Sequence, residues 1–187
     1  LVYNFNREEA DLTKSLVHPY VPRFPRHVSY DLVLFGSWRR KGVYVGEKQI
    51  ASPGSYPVAG FNFAPMYNLN YKLRFGVSLD GVYDGSANVY TEDALVEYDA
   101  GSGSSRRKFL VPGIQNQLAL GLSGRAEYVM PFFTIGVGLG TNVLGRGDLR
   151  GLYQVFALKI NVTRSSFLHI GYNLQDFQTP NYLMLGL

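Results

Sequence analysis

The stretch "FLHIGYNLQDFQTPN", residues 167–181, holds the one histidine that sits inside an alternating apolar run, His169. A histidine in such a place is either a general base or part of a wall. Proton transfer would need a nucleophile within hydrogen-bond reach and a third group to orient the ring. Ser165 and Ser166 lie just before the run, with Ser166 on the opposite face, and Asp176 follows it. None of these hydroxyls has the spacing of a triad with His169. His18 and His27 form no ligand cluster with it, so no metal site and no cofactor is expected. Glu92, Asp93, Glu97 and Asp99 match no calcium loop and read as a solvated acidic face.

Which way His169 points depends on the element that carries it. Leu168, Ile170, Tyr172 and Leu174 form one face, leaving His169 with Phe167, Gly171 and Asn173 on the other. The same period of two runs through nearly the whole chain. In "YKLRFGVSLD", Tyr71, Leu73, Phe75, Val77 and Leu79 oppose Lys72, Arg74, Gly76, Ser78 and Asp80. Eight such segments are predicted, at 28–38, 58–64, 71–80, 117–128, 133–140, 155–162, 167–174 and 182–187. Short connections alternate with longer ones at 40–56, 84–112, 142–149 and 175–180. This rhythm predicts an all-β fold, an eight-stranded antiparallel up-and-down transmembrane β-barrel, with tight turns on one rim and long loops on the other.

A soluble barrel would place its polar face outward. Here the polar face is crowded with glycine (Gly76, Gly121, Gly136, Gly138, Gly140), which suits a narrow bore. The other face is bulky and nearly uncharged, with Trp38, Tyr71, Tyr128 and Phe133 near strand ends, as in an aromatic girdle. Charged residues make up 17% of the chain, below the roughly 25% usual in soluble domains. The formal charge of +4 and the lack of a basic helix argue against nucleic acid. The chain has no cysteine, no apolar run long enough for a spanning helix and no signal-peptide pattern at its start. It ends at Leu187 without the terminal aromatic common in bacterial outer-membrane barrels, so a truncated last strand is expected.

Residues 1–26 are expected to form a periplasmic arm, since "HPYVPRFPRH" carries three prolines in ten residues, and residues 27–187 the barrel. "GSGSS" at 101–105 reads as flexible linker. On the inward face near the short turns, Asp31, Lys72, Arg74, Arg125, Glu127 and Lys159 are expected to pair into a plug, with His169 and Asn173 completing the hydrogen bonding. On the long-loop rim stand three basic groups: Arg39, Arg40 and Lys41; Arg106, Arg107 and Lys108; Arg146 and Arg150. Facing outward from a Gram-negative outer membrane, they would meet lipopolysaccharide, whose phosphates suit arginine forks.

An eight-stranded barrel whose late strand reads F-x-H, followed by a loop with Pro180 and Asn181, resembles the lipid A deacylase family (PagL-type, acyloxyacyl hydrolase-like). The resemblance implies a serine hydrolase site on the barrel wall that removes an ester-linked acyl chain from lipid A. It implies a histidine, here His169, with a serine two residues later and a glutamate about a dozen residues beyond. In this chain the serine position is Gly171, and 182–187 reads "YLMLGL", without a glutamate. The expectation is a barrel that interacts with lipid A and lacks the family's triad. A non-enzymatic accessory subunit of a larger outer-membrane complex is the alternative.

Overall fold

The computed structural model describes residues 23–45, 48–51, 54–99, 104–163, 165–177 and 179–187. It contains β1 (His27–Arg39), β2 (Gly42–Val45), β3 (Lys48–Ala51), β4 (Tyr56–Asn68), β5 (Leu73–Asp84), β6 (Tyr90–Asp99), β7 (Ser104–Leu110), β8 (Leu118–Val129), β9 (Phe133–Leu144), β10 (Leu152–Asn161), β11 (Phe167–Gln175) and β12 (Thr179–Gly186). Eight of these close a barrel in the order β1-β4-β5-β8-β9-β10-β11-β12, with β12 returning to β1. Every neighbouring pair is antiparallel, so the chain runs up and down.

The polarity is inverted relative to a soluble protein. Val28, Tyr30, Leu32 and Leu34 of β1 are exposed, while Asp31, Val33, Phe35 and Ser37 are buried. Val77, Leu122, Ile135, Val137, Phe156, Ile170 and Leu183 extend the exposed apolar band around the wall. An apolar exterior of this extent matches a hydrocarbon solvent, and the barrel is a transmembrane one. Tyr30 stacks on Phe63 at 6.2 Å on the outer wall toward the short-turn end. At the other rim the exposed Trp38 and Phe177 occupy the corresponding belt.

The long connections differ from the expected loops. Segments 40–56 and 84–112 each hold a two-stranded ribbon, β2–β3 and β6–β7. The sequence of these segments shows no strict alternation of apolar and polar residues, so the period-two signal is missing. Ser104 and Ser105, expected in a flexible linker, are paired in β7 with Asp99 and Tyr98. β4 also continues past Pro65 to Asn68. Proline lacks an N–H, and the β4–β5 ladder skips Ala64 and Pro65 while the β4–β1 ladder runs unbroken.

Residues 1–22 of the expected arm lie outside the described residues. Phe24 packs edge-on against Tyr71 at 4.7 Å, which brings residues 23–26 to the short-turn rim. Within the bore, Val33, Phe35, Val58, Tyr153, Val155, Ala157, Tyr182 and Met184 form an apolar cluster, with Phe35 stacked on Tyr182. Two spaces of about 20 Å³ remain inside, each room for a water molecule. A bore filled in this way is a packed core, in keeping with the small radius of eight strands.

Candidate functional site

Three polar layers cross the bore. The lowest joins β1, β5, β8 and β10. Arg74 Nη2 lies 2.9 Å from Asp31 Oδ2 and 2.6 Å from Glu127 Oε2, and Lys159 Nζ lies 2.7 Å from each carboxylate. Two cations and two anions thus form a neutral square, which buried charge requires. Lys159 also sits 4.9 Å from the centroid of the Phe167 ring.

The middle layer centres on Asp80. Its carboxylate accepts five hydrogen bonds, from Asn62 Nδ2 (2.6 Å), Ser78 Oγ (2.6 Å), Ser123 Oγ (2.7 Å), Arg125 Nη2 (2.9 Å) and Tyr153 Oη (2.6 Å). Gly121 and Gly140 make room for Tyr153, since a Cβ on either would fall 2.6–2.7 Å from its phenol. In the upper layer Asp84 accepts from Arg39 Nη1 at 3.1 Å and from the Ser86 amide and hydroxyl. Arg39 also donates to Asn181, whose amide donates to Asn173 at 3.0 Å.

The expected plug is therefore divided. Asp31, Arg74, Glu127 and Lys159 meet in one layer, Arg125 serves the next, and Asn173 belongs to the third. Lys72 joins none of them. The strand begins at Leu73, and Lys72 lies exposed in a turn where Asn70 Oδ1 accepts from the Lys72 and Leu73 amides. That side-chain turn ends the alternation on which Lys72 was placed inward. Asp80, Asp84 and Tyr153 were not recognised as partners, because alternation gives a face and not a cross-strand register.

His169 points into the bore and is 2% exposed. Neither ring nitrogen has a hydrogen-bond partner among the described residues, so it does not complete a network with Asn173. The next inward position is Gly171, where a Cβ would fall 2.6 Å from His169 Nε2 and 2.6 Å from Met184 Cε. The imidazole thus occupies the space that a side chain at 171 would need. Ser166 bonds Thr163 in the β10–β11 turn, away from the ring. Replacing Gly171 by serine should produce no lipid A hydrolysis and should lower stability by about 1–3 kcal/mol through overpacking. Product analysis and unfolding in detergent would check both parts.

On the long-loop rim, Arg39 is tied to Asp84, and Lys41 contacts Asp148. Neither is displayed as a free head-group contact. Arg40, Arg146 and Arg150 are exposed, and the side chains of Arg106, Arg107 and Lys108 lie outside the described ones. Asn88 clasps the rim. Its backbone amide donates to Asp148 Oδ2, its Oδ1 accepts from the Asp148 amide, and its Nδ2 donates to the Asn116 and Arg146 carbonyls. Asn88 adopts φ 56°, and Gly147, at φ 55°, has room for no side chain beside Asn88 Oδ1.

Partial burial would raise the pKa of Asp148. Hydrogen bonds from Lys41 and the Asn88 amide, with the charges of Lys41 and Arg39, outweigh it and hold the group below its ordinary 3.8. A depressed carboxyl stabilises the fold above its unfolded value and loses that contribution as pH falls through the folded one. Protection of the Asn88 amide, corrected for intrinsic exchange, should therefore be flat at neutral pH and fall only below about pH 4. In Asp148→Asn that acid step should vanish, as measured by hydrogen exchange.

No group of three or more metal-ligating side chains occurs among the described residues. A family model described as acyloxyacyl hydrolase, C-terminal domain, matches residues 28–187, which is the barrel from its first strand onward. No curated protein and no solved structure matches the chain.

Proposed function

Starting from the acyloxyacyl hydrolase C-terminal domain family, to which this chain belongs, we propose that it is a non-hydrolytic outer-membrane barrel that interacts with lipid A of lipopolysaccharide. The observation that carries this reading is the burial of His169 against Gly171. An imidazole inside the bore cannot reach an ester in the surrounding lipid, and glycine supplies no nucleophile. Exposed Arg40, Arg146 and Arg150 offer phosphate-binding forks on the long-loop rim.

The test is mass spectrometry of lipid A after incubation with the purified protein in detergent. The expected product has an unchanged acyl count, and release of an acyl chain overturns the non-hydrolytic reading. Replacing Arg40, Arg146 and Arg150 together by alanine should weaken lipopolysaccharide binding. Unchanged affinity would remove the rim from the interaction.

A second reading, an accessory subunit of a larger outer-membrane complex, is favoured by the β2–β3 and β6–β7 ribbons. Each is a two-stranded sheet, so both of its strands are edge strands, the kind of element to which a partner strand can add. Extraction in mild detergent followed by identification of co-purifying proteins would test it.

A further inference from the structure

On the outer wall Gln154 of β10 breaks the apolar pattern. β10 directs Leu152, Phe156 and Ile160 outward, and Gln154 belongs to the same set. Yet Gln154 is only 3% exposed. Its Oε1 accepts the Phe177 backbone N–H at 2.9 Å, which settles the orientation of the amide. The Nε2 donor is buried and has no partner among the described residues. A buried donor left unpaired is destabilising by itself, so its retention calls for an acceptor.

Beside it lies a groove of about 420 Å³, within the roughly 300–1,000 Å³ range of small-molecule sites. Strand register explains the groove. Gly124 pairs with Leu139 and Leu139 with Gln154, while Ala126 pairs with Val137 and Val137 with Phe156. Glycine and alanine on β8 leave the wall thin between the larger side chains of β9 and β10. Phe177 lines the head of the groove, and Asp176 and Phe177 are consecutive non-glycine residues at positive φ, 50° and 61°. Such backbone is held only by its surroundings, and the bond to Gln154 is one of its ties.

The groove's head lies near the long-loop rim. Gln154 is four residues along the chain from exposed Arg150, at most about 13 Å in extended backbone. Arg146 stands on the same β9–β10 connection. From the rim downward the order is therefore cations, an amide donor, then an apolar channel. That order matches a phosphorylated lipid with an ester- or amide-linked acyl chain.

We propose that the β8–β9–β10 wall binds one acyl chain of lipid A, whose linkage carbonyl accepts a hydrogen bond from Gln154 Nε2 while its phosphate meets Arg146 and Arg150. The choice of lipid rests on the function proposed above; the groove and its donor do not.

The full chain in nanodiscs, offered lipid A with a photoactivatable diazirine on an acyl chain, should be labelled on residues 124–126, 137–139 and 154–156. Gly124→Trp should abolish that labelling. A Cβ at Gly124 meets nothing closer than 4.0 Å, so a side chain can start there without a close contact and its indole is expected to occupy the groove. Gln154→Leu should reduce lipid A retention about three- to tenfold, the range for one hydrogen bond. Heat-modifiable mobility confirms that each variant is folded. Labelling elsewhere on the barrel, unaffected by Gly124→Trp, overturns the groove but leaves the rim reading in place. Equal labelling by a phosphatidylglycerol carrying the same diazirine overturns the choice of lipid. Absence of labelling by either probe overturns the site, and with loss of all lipid A retention it overturns the proposed function as well.

Discussion

Replacing Asp80 by leucine should destabilise the barrel by about 3–5 kcal/mol, the usual consequence of stranding one member of a buried ion pair. Among the described residues Arg125 would keep only its 2.9 Å bond to Ser123 Oγ, and its charge would lose the Asp80 carboxylate. Asn62, Ser78, Ser123 and Tyr153 would each lose an acceptor as well. Asp80→Asn retains the shape and should be milder. Combining it with Arg125→Gln should recover part of the loss, because neither charge is then left alone. The midpoint of the heat-modifiable gel shift, read with urea unfolding in micelles, measures all three. An Asp80→Leu barrel as stable as the parent would show that the hub contributes nothing net.

The second large effect is expected at Lys159. Its replacement by methionine leaves Asp31 and Glu127 sharing Arg74 alone, with one negative charge in excess inside the wall. A loss of about 3–5 kcal/mol is expected here too. Adding Asp31→Asn restores neutrality with the Arg74–Glu127 pair intact, so the double variant should be more stable than Lys159→Met. Additive losses in the same unfolding assay would mean that the square acts as separate pairs. The Lys159–Phe167 contact disappears in both variants and so does not confuse the comparison.

Much of this layout is legible in the sequence. Alternation alone put Asp31, Arg74, Arg125, Glu127, Lys159 and His169 on one face and the leucine ladder on the other, because a strand offers only two directions. It failed where a residue left the strand. Lys72 obeyed the alternation on paper but sits in the Asn70 turn. Arg39 ends β1 and bends inward to Asp84, so a residue that seemed part of a displayed basic cluster is a structural tie. The ribbons β2–β3 and β6–β7 carry no one-sided pattern to be found. Gln154 lies one residue before the segment read at 155–162, so neither its outward place nor its burial beside the Phe177 turn was legible. The division into layers depends on register: Asp80 reaches Tyr153 across 73 residues of sequence.

The lowest layer draws one ion from each of β1, β5, β8 and β10, and its four contacts span 32, 43, 53 and 128 residues of chain. Only the β5–β8 hairpin holds a neutral pair of this layer, Arg74 with Glu127, while Asp31 on β1 and Lys159 on β10 find partners only outside their own hairpins. A hairpin carrying Asp31 or Lys159 into the bilayer alone would bring an unpaired ion of this layer toward hydrocarbon, where a lone ion is strongly disfavoured. Insertion one hairpin at a time is thereby penalised. The favoured route brings the strands together at the interface, with their ions still hydrated, and lets water leave as the cylinder sinks and closes.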